Sequence, residues 1–214
     1  MTTSRATLGR LVGEADLRSA FCFCSRAELG PAGELVHNES VKATLEALNQ
    51  MQADGIISHY AIGGAVGATF YLEPAATLDI DIFVILPAAP ESLLMSLAPL
   101  YEYLKARGGQ PQGEHIVIGG WPVQFLVPSN ELEREAVAGS LPTRVEGVAT
   151  WVMMEEHLVA IALNTGRSKD HIRILQFLEQ EAVDHDVLQA VLERHGLTTK
   201  WQQFARKYLE GSHE

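Results

Sequence analysis

Two aspartates, Asp79 and Asp81, interrupt a run from Leu78 to Leu86 that is otherwise almost wholly apolar. Ended by Pro87, that run reads as a strand buried on both faces. Successive side chains on a strand point to opposite faces, so Asp79 and Asp81 share one face and Ile80, Ile82 and Val84 take the other. Neighbouring carboxylates repel, and burying them without a partner is costly. A fold that accepts the pair must therefore bring a counter-charge to it. Hard oxygen donors with no cysteine or histidine beside them suit Mg²⁺, which usually takes one or two carboxylates and keeps positions for substrate phosphates. On this reading Asp79 and Asp81 are the catalytic metal ligands of a phosphoryl-transfer site.

The surrounding elements follow from local signals. Asn38 or Ser40 can cap a helix over about 40–54, in which Leu45, Leu48 and Met51 recur at helical spacing. A β-rich run, 56–62, ends at Gly63-Gly64, and Ala65 to Leu72 reads as a short helix stopped at Glu73-Pro74. Glu91 to Arg107 has helical periodicity. His115–Ile118 and Pro122–Val127 form a hairpin turned at Gly119-Gly120. Asn130 with Glu133 is a capping box for a helix ending near Gly139, and Thr143 to Val152 adds one more strand. Helices follow: Glu155 to Thr165 stopped by Gly166, one capped by Ser168, one from Asp184, and a last from Thr198 or Thr199. Strands first and helices last predict an α+β fold, a mixed sheet with flanking helices and a C-terminal helical region. The expected organisation is an N-terminal extension over 1–38, a catalytic core over 39–152 and a helical region over 153–214.

Bulk properties narrow the setting. The chain has 214 residues, 47% of them hydrophobic and 20% charged, which suits one globular domain or two small ones. Its net charge of -11 makes it a poor binder of duplex DNA, where affinity rests on neutralising phosphates. No apolar run approaches the ~20 residues of a membrane helix, and the first residues lack a secretory apolar segment. The cytoplasm is the expected location. Cys22 and Cys24 lack the second ligand pair of a zinc site and read as reduced thiols.

In order along the chain, Tyr60-Ala61-Ile62-Gly63-Gly64-Ala65, Leu78-Asp79-Ile80-Asp81-Ile82-Phe83, Trp121-Pro122-Val123-Gln124-Phe125-Leu126 and Leu163-Asn164-Thr165-Gly166-Arg167-Ser168-Lys169-Asp170 form a recognisable set. From about His59 to Trp201 the chain resembles the nucleotidyltransferase superfamily of DNA polymerase β type. Within it, the chain is most similar to small bacterial AbiEii-like and related stand-alone members. The resemblance implies that Gly63, Gly64 and Ala65 open a helix whose backbone amides hold a nucleoside triphosphate. It implies that Asp79 and Asp81 hold one or two Mg²⁺ ions, and that Arg167, Lys169 and Asp170 belong to the nucleotide site. The implied reaction moves a nucleoside monophosphate onto an acceptor hydroxyl of a small molecule, a protein or an RNA end. An AbiEii-like toxin role would add an antitoxin-like protein partner.

Two departures stand beside this resemblance. Many members carry a third carboxylate on a later strand, where this chain has Gln124, an amide that is neither a base nor a strong Mg²⁺ ligand. Glu114 is the one nearby substitute. The basic residue often found shortly before Asp-x-Asp is also missing from Ala75, Ala76, Thr77 and Leu78. Gln124 therefore keeps a second reading open, that of a catalytically weak or inactive nucleotide- or partner-binding module on the same fold. Gly63-Gly64 alone reads as an ordinary strand-to-helix turn, and Arg167 and Lys169 alone as a helix start, although cations in a first turn oppose the helix dipole. His59, His157 and His171 read as packed or helical residues, and Trp121, Trp151 and Trp201 as packing.

Overall fold

A computed structural model of the protein describes residues 41–73, 77, 79–87 and 96–210. The segment 1–38, Asn38, Ser40, Cys22, Cys24, Ala75, Ala76, Leu78 and the start of the Glu91–Arg107 helix lie outside them. The described elements run α1 (Lys42–Ala53), β1 (His59–Ile62), α2 (Gly64–Ala68), β2 (Ile80–Ile85), α3 (Ala98–Lys105), β3 (Gln110–Gln112), β4 (His115–Ile118) and β5 (Trp121–Leu126). They continue α4 (Glu131–Ala138), β6 (Leu141–Val145), β7 (Val148–Val152), α5 (Glu155–Thr165), α6 (Ser168–Glu179), α7 (His185–Arg194) and α8 (Thr198–Tyr208).

The strands form one seven-stranded mixed sheet in the order β3-β4-β5-β2-β1-β7-β6. β2 is near its middle, antiparallel to β1 and parallel to β5, with Asp81 in register with Gln124. β-Branched Ile80, Ile82 and Val84 send their side chains into one apolar layer with Leu45, Leu48 and Met51 of α1 and Leu100 and Leu104 of α3. Ala61 and Phe83 face the other way, into a second layer built with α2, α4 and the helices from α5 to α8. Alternation along β2 thus puts Asp81 on the same side as Phe83, toward the C-terminal helices. Each fully buried aliphatic side chain in these layers contributes about 1.5–3 kcal/mol.

The α+β class and the mixed sheet are as expected, and several boundaries differ. The Thr143–Val152 segment is two strands, β6 and β7, joined by a tight turn at Glu146-Gly147. β3 was not foreseen, because Gln110-Pro111-Gln112 is wholly exposed and carries no apolar alternation. The helix expected over Glu91–Arg107 is helical from Ala98 to Lys105, with Ser96 and Leu97 ahead of it. The Asn130 side chain caps α4 through the Glu133 amide, but Glu133 returns to Ser129 rather than to Asn130. Ser168 is the first residue of α6 instead of its cap. The chain enters that helix at Arg167, and the Asp170 carboxylate accepts from the Arg167 amide. The carboxylate at the third helical position thus satisfies the amide of the cap residue itself, the N3 half of a capping box.

Candidate active site

The C-terminal edge of β1 and the start of β2 meet at the glycine pair. The Gly63 amide donates to the Asp81 carbonyl at 3.0 Å, which extends the β1–β2 ladder to the point where α2 begins. Gly64 has φ +57, and a β-carbon there would lie 1.8 Å from Asp81 Oδ2. The glycine is needed because the Asp81 carboxylate rests against the backbone at that position. Gly63 is tight for a second reason, since a β-carbon there would lie 2.8 Å from the Phe83 ring.

A cavity of about 400 Å³ opens at this point. Gly64, Ala65, Asp79 and Asp81 form one wall, and Arg167, which caps α6, with Lys169, Asp170 and Arg173 of its first two turns, forms another. Gln124 of β5 lies beside the aspartates, and the far end is apolar, with Leu126, Leu158 and Ile161. All eight residues that the sequence assigned to the site therefore converge here except Gly63, which lies behind the wall against Phe83.

The two aspartates differ in environment. Asp79 sits just ahead of β2 and is about one-third exposed, with its Oδ2 3.2 Å from His115 Nε2. Thr77 Oγ1 donates to the Asp79 carbonyl at 3.2 Å, which fixes the backbone there. Burial, and then the charge of Asp79, push the Asp81 carboxyl above the usual carboxylate range, while Arg173, Lys169 and Arg167 pull it back. No ion pair forms on Asp81 among the described residues, so its charge is balanced only at a distance.

The cationic wall is organised by Asp170, which is 1% exposed. It accepts from Arg167 Nε at 2.7 Å and pairs with Arg173 Nη1 at 3.6 Å. Asp170 is thus an anchor for two arginines, whereas Lys169 is exposed at the cavity edge. Arg173 was not singled out from the sequence. It stands three residues after Asp170 and four after Lys169, the spacing that shares one helix face, and that periodicity was the available signal. His115 was missed as well, and nothing in its local sequence connects a strand residue to Asp79 on a distant segment.

Glu114 lies exposed on the β3–β4 turn, outside the lining of the cavity, so it does not take the place of Gln124. The other cavity carboxylate, Glu133, accepts from the Ser129 amide at 2.7 Å and from its hydroxyl at 3.0 Å. The histidines and tryptophans that the sequence read as packed residues lie away from the cavity lining. His59 bonds Ser140, His157 faces Glu135, His171 touches Tyr208, Trp151 meets His59 and Tyr60 edge-on, and Trp201 stacks on Phe204. Among the described residues no group of three or more histidine, cysteine or acidic side chains is arranged to hold a metal ion, and no helix is long and apolar enough to cross a membrane.

Asp79 and Asp81 are the cavity carboxylates that could donate to a metal, and the chemistry of this oxygen pair fits a hard divalent cation. Burial and mutual repulsion both raise the proton affinity of Asp81, and a bound cation would offset both.

No family model matches this sequence, and no curated protein matches it. Among solved structures, the chain is similar to an antigenic nucleotidyltransferase-like protein from Paracoccidioides brasiliensis. The TM-score is 0.56 and the identity 16%, over 81% of this chain and 90% of that one. At that identity the likeness is one of architecture: the chain has a nucleotidyltransferase-like fold.

Proposed function

We propose that the protein is a Mg²⁺-dependent nucleotidyltransferase that moves a nucleoside monophosphate from a nucleoside triphosphate to an acceptor hydroxyl. The observation that carries this reading is the cavity itself, in which Asp79 and Asp81 face Arg167, Lys169 and Arg173 across a backbone kept bare at Gly64. An anionic pair opposite a cationic wall is suited to a ligand that combines phosphates with a divalent cation.

Asp79 and Asp81 would hold the metal. When bound there, Mg²⁺ supplies charge neutralisation at the phosphates. Lys169, Arg167 and Arg173 bind the triphosphate and hold it for in-line attack, with Asp170 keeping the two arginines in place. The acceptor oxygen forms a bond to the α-phosphorus, the bond to the β-phosphate bridge oxygen breaks, pyrophosphate leaves and the hydroxyl proton passes to solvent. Gln124 cannot take that proton. The apolar end of the cavity, with Leu126, Leu158 and Ile161, covers part of a substrate and excludes water from it.

The finer form of the reading is an AbiEii-like toxin acting in the cytoplasm with an antitoxin-like protein partner. Its support is the ordered set of segments in the sequence. One observation favours a second reading. Gln124 stands in register with Asp81, where many members of the resembling family carry a carboxylate, so a weak or inactive nucleotide-binding module is the alternative.

The deciding experiment offers each of the four α-³²P-labelled triphosphates with Mg²⁺ against small molecules, proteins and total RNA. Transfer of label with release of pyrophosphate is expected from the wild type and not from the Asp79→Asn, Asp81→Asn double variant. Nucleotide binding without pyrophosphate release across the whole panel would favour the module.

A further inference from the structure

Four carboxylates line the cavity, and two are already occupied by the protein. Asp170 is committed to Arg167 and Arg173, and Glu133 to the amide and hydroxyl of Ser129. Asp79 and Asp81 are left, and one oxygen of Asp79 is shared with His115. Across the parallel β2–β5 ladder the residue in register with Asp81 is Gln124. Its amide brings a neutral oxygen and a nitrogen donor where a carboxylate would have brought a charge. Arg173, whose side chain is 17% exposed, adds a fixed positive charge on the same cavity.

We infer that this site takes a single divalent cation when a nucleotide is bound, and that Gln124 sets that number. The inference rests on the nucleotidyltransferase reading and goes beyond it. Paired ions in two-metal sites lie about 3.5–4 Å apart, so they repel strongly unless anionic ligands bridge and surround them. Two carboxylates and the substrate phosphates are the usual complement of one Mg²⁺. A second ion would find no third carboxylate, and it would meet the field of Arg173.

Mn²⁺ is a suitable probe because it is paramagnetic. The full-length protein is dialysed against Mn²⁺ and an α,β-methylene triphosphate analogue present on both sides, and bound ions are counted and examined by electron paramagnetic resonance. One magnetically isolated ion per chain is expected for the wild type and none for Asp81→Asn. Two coupled ions are expected for the isosteric Gln124→Glu. Two coupled ions in the wild type would overturn the inference and leave the nucleotidyltransferase reading intact. Equal binding by wild type and Asp81→Asn would overturn the metal site itself, and the inference with it. A single ion in a folded Gln124→Glu protein would refute the role given to Gln124. Should that variant fail to fold by circular dichroism, the wild-type count still decides.

Discussion

Replacing Gly64 by alanine tests the contact on which the site is built. The new β-carbon would lie 1.8 Å from Asp81 Oδ2, 2.7 Å from its Cγ and 2.9 Å from its Cβ. The backbone at φ +57 also disfavours any L side chain, at a cost of about 1–2 kcal/mol. Forcing the carboxylate and its strand aside adds about 1–3 kcal/mol, the usual range for overpacking. The expected loss is therefore about 2–5 kcal/mol, which for a chain of this length lowers Tm by on the order of 10 °C. Gly55→Ala is the control. Gly55 has φ +73, and nothing lies within 4 Å of its would-be β-carbon. Only the backbone cost, about 1–2 kcal/mol, is expected there. Urea unfolding of both variants separates the steric contribution from the conformational one. In an Asp81→Ala background, which removes Oδ2 and Cγ, Gly64→Ala should cost less, with a coupling of about 1–2 kcal/mol. Equal losses for Gly64→Ala and Gly55→Ala, together with no coupling to Asp81, would refute the seating of the carboxylate against the glycine.

Two further outcomes follow from the charges. Asp170→Ala removes a buried acceptor from Arg167 and Arg173, and a loss of about 3–5 kcal/mol is expected in denaturant unfolding, with Asp170→Asn milder because it keeps an acceptor oxygen. The Asp81 carboxyl is raised in the folded protein, so folding holds its proton more tightly than the unfolded chain does. Stability is therefore lost as pH rises from the unfolded carboxylate value, about 3.9, up to the raised folded value, and stays lost above it. Without divalent cation, Asp81→Asn should match the wild type near pH 4 and melt higher at neutral pH, with added Mg²⁺ and nucleotide narrowing the gap. A lower melting temperature for Asp81→Asn at neutral pH without metal would contradict the assignment of Asp81 as a destabilised carboxylate.

Much of this fold is visible in local patterns. The apolar run around Ile80 to Ile85 specifies a strand, Gly166 ends one helix at φ +72, Asp184 caps a later one, and Gly119-Gly120 turns a hairpin. These features need only a few neighbouring residues, so backbone geometry and hydrogen-bond satisfaction declare them in the sequence. Segments without such a signal are not legible in this way. The exposed Gln110–Gln112 strand has no apolar face, and the β6–β7 turn at Glu146-Gly147 lies between two runs that read as a single strand.

The site divides along the same line. Asp79-x-Asp81 announces an unpaired charge pair because the residues around it are apolar, and Gly63-Gly64 announces a place where side chains are excluded. What excludes them is a matter of tertiary structure: Asp81 comes from a strand that joins the glycines only through the β1–β2 ladder. Spacing alone likewise cannot assign Asp170 to the arginines rather than to a ligand, because its burial depends on how α6 packs on α5. Gln124 is unremarkable until parallel pairing of β5 with β2 sets it beside Asp81. Local chemistry thus selected the residues, and long-range register and packing decided which of them face the cavity, because electrostatic balance at a buried carboxylate depends on charges that are distant along the chain and near in space.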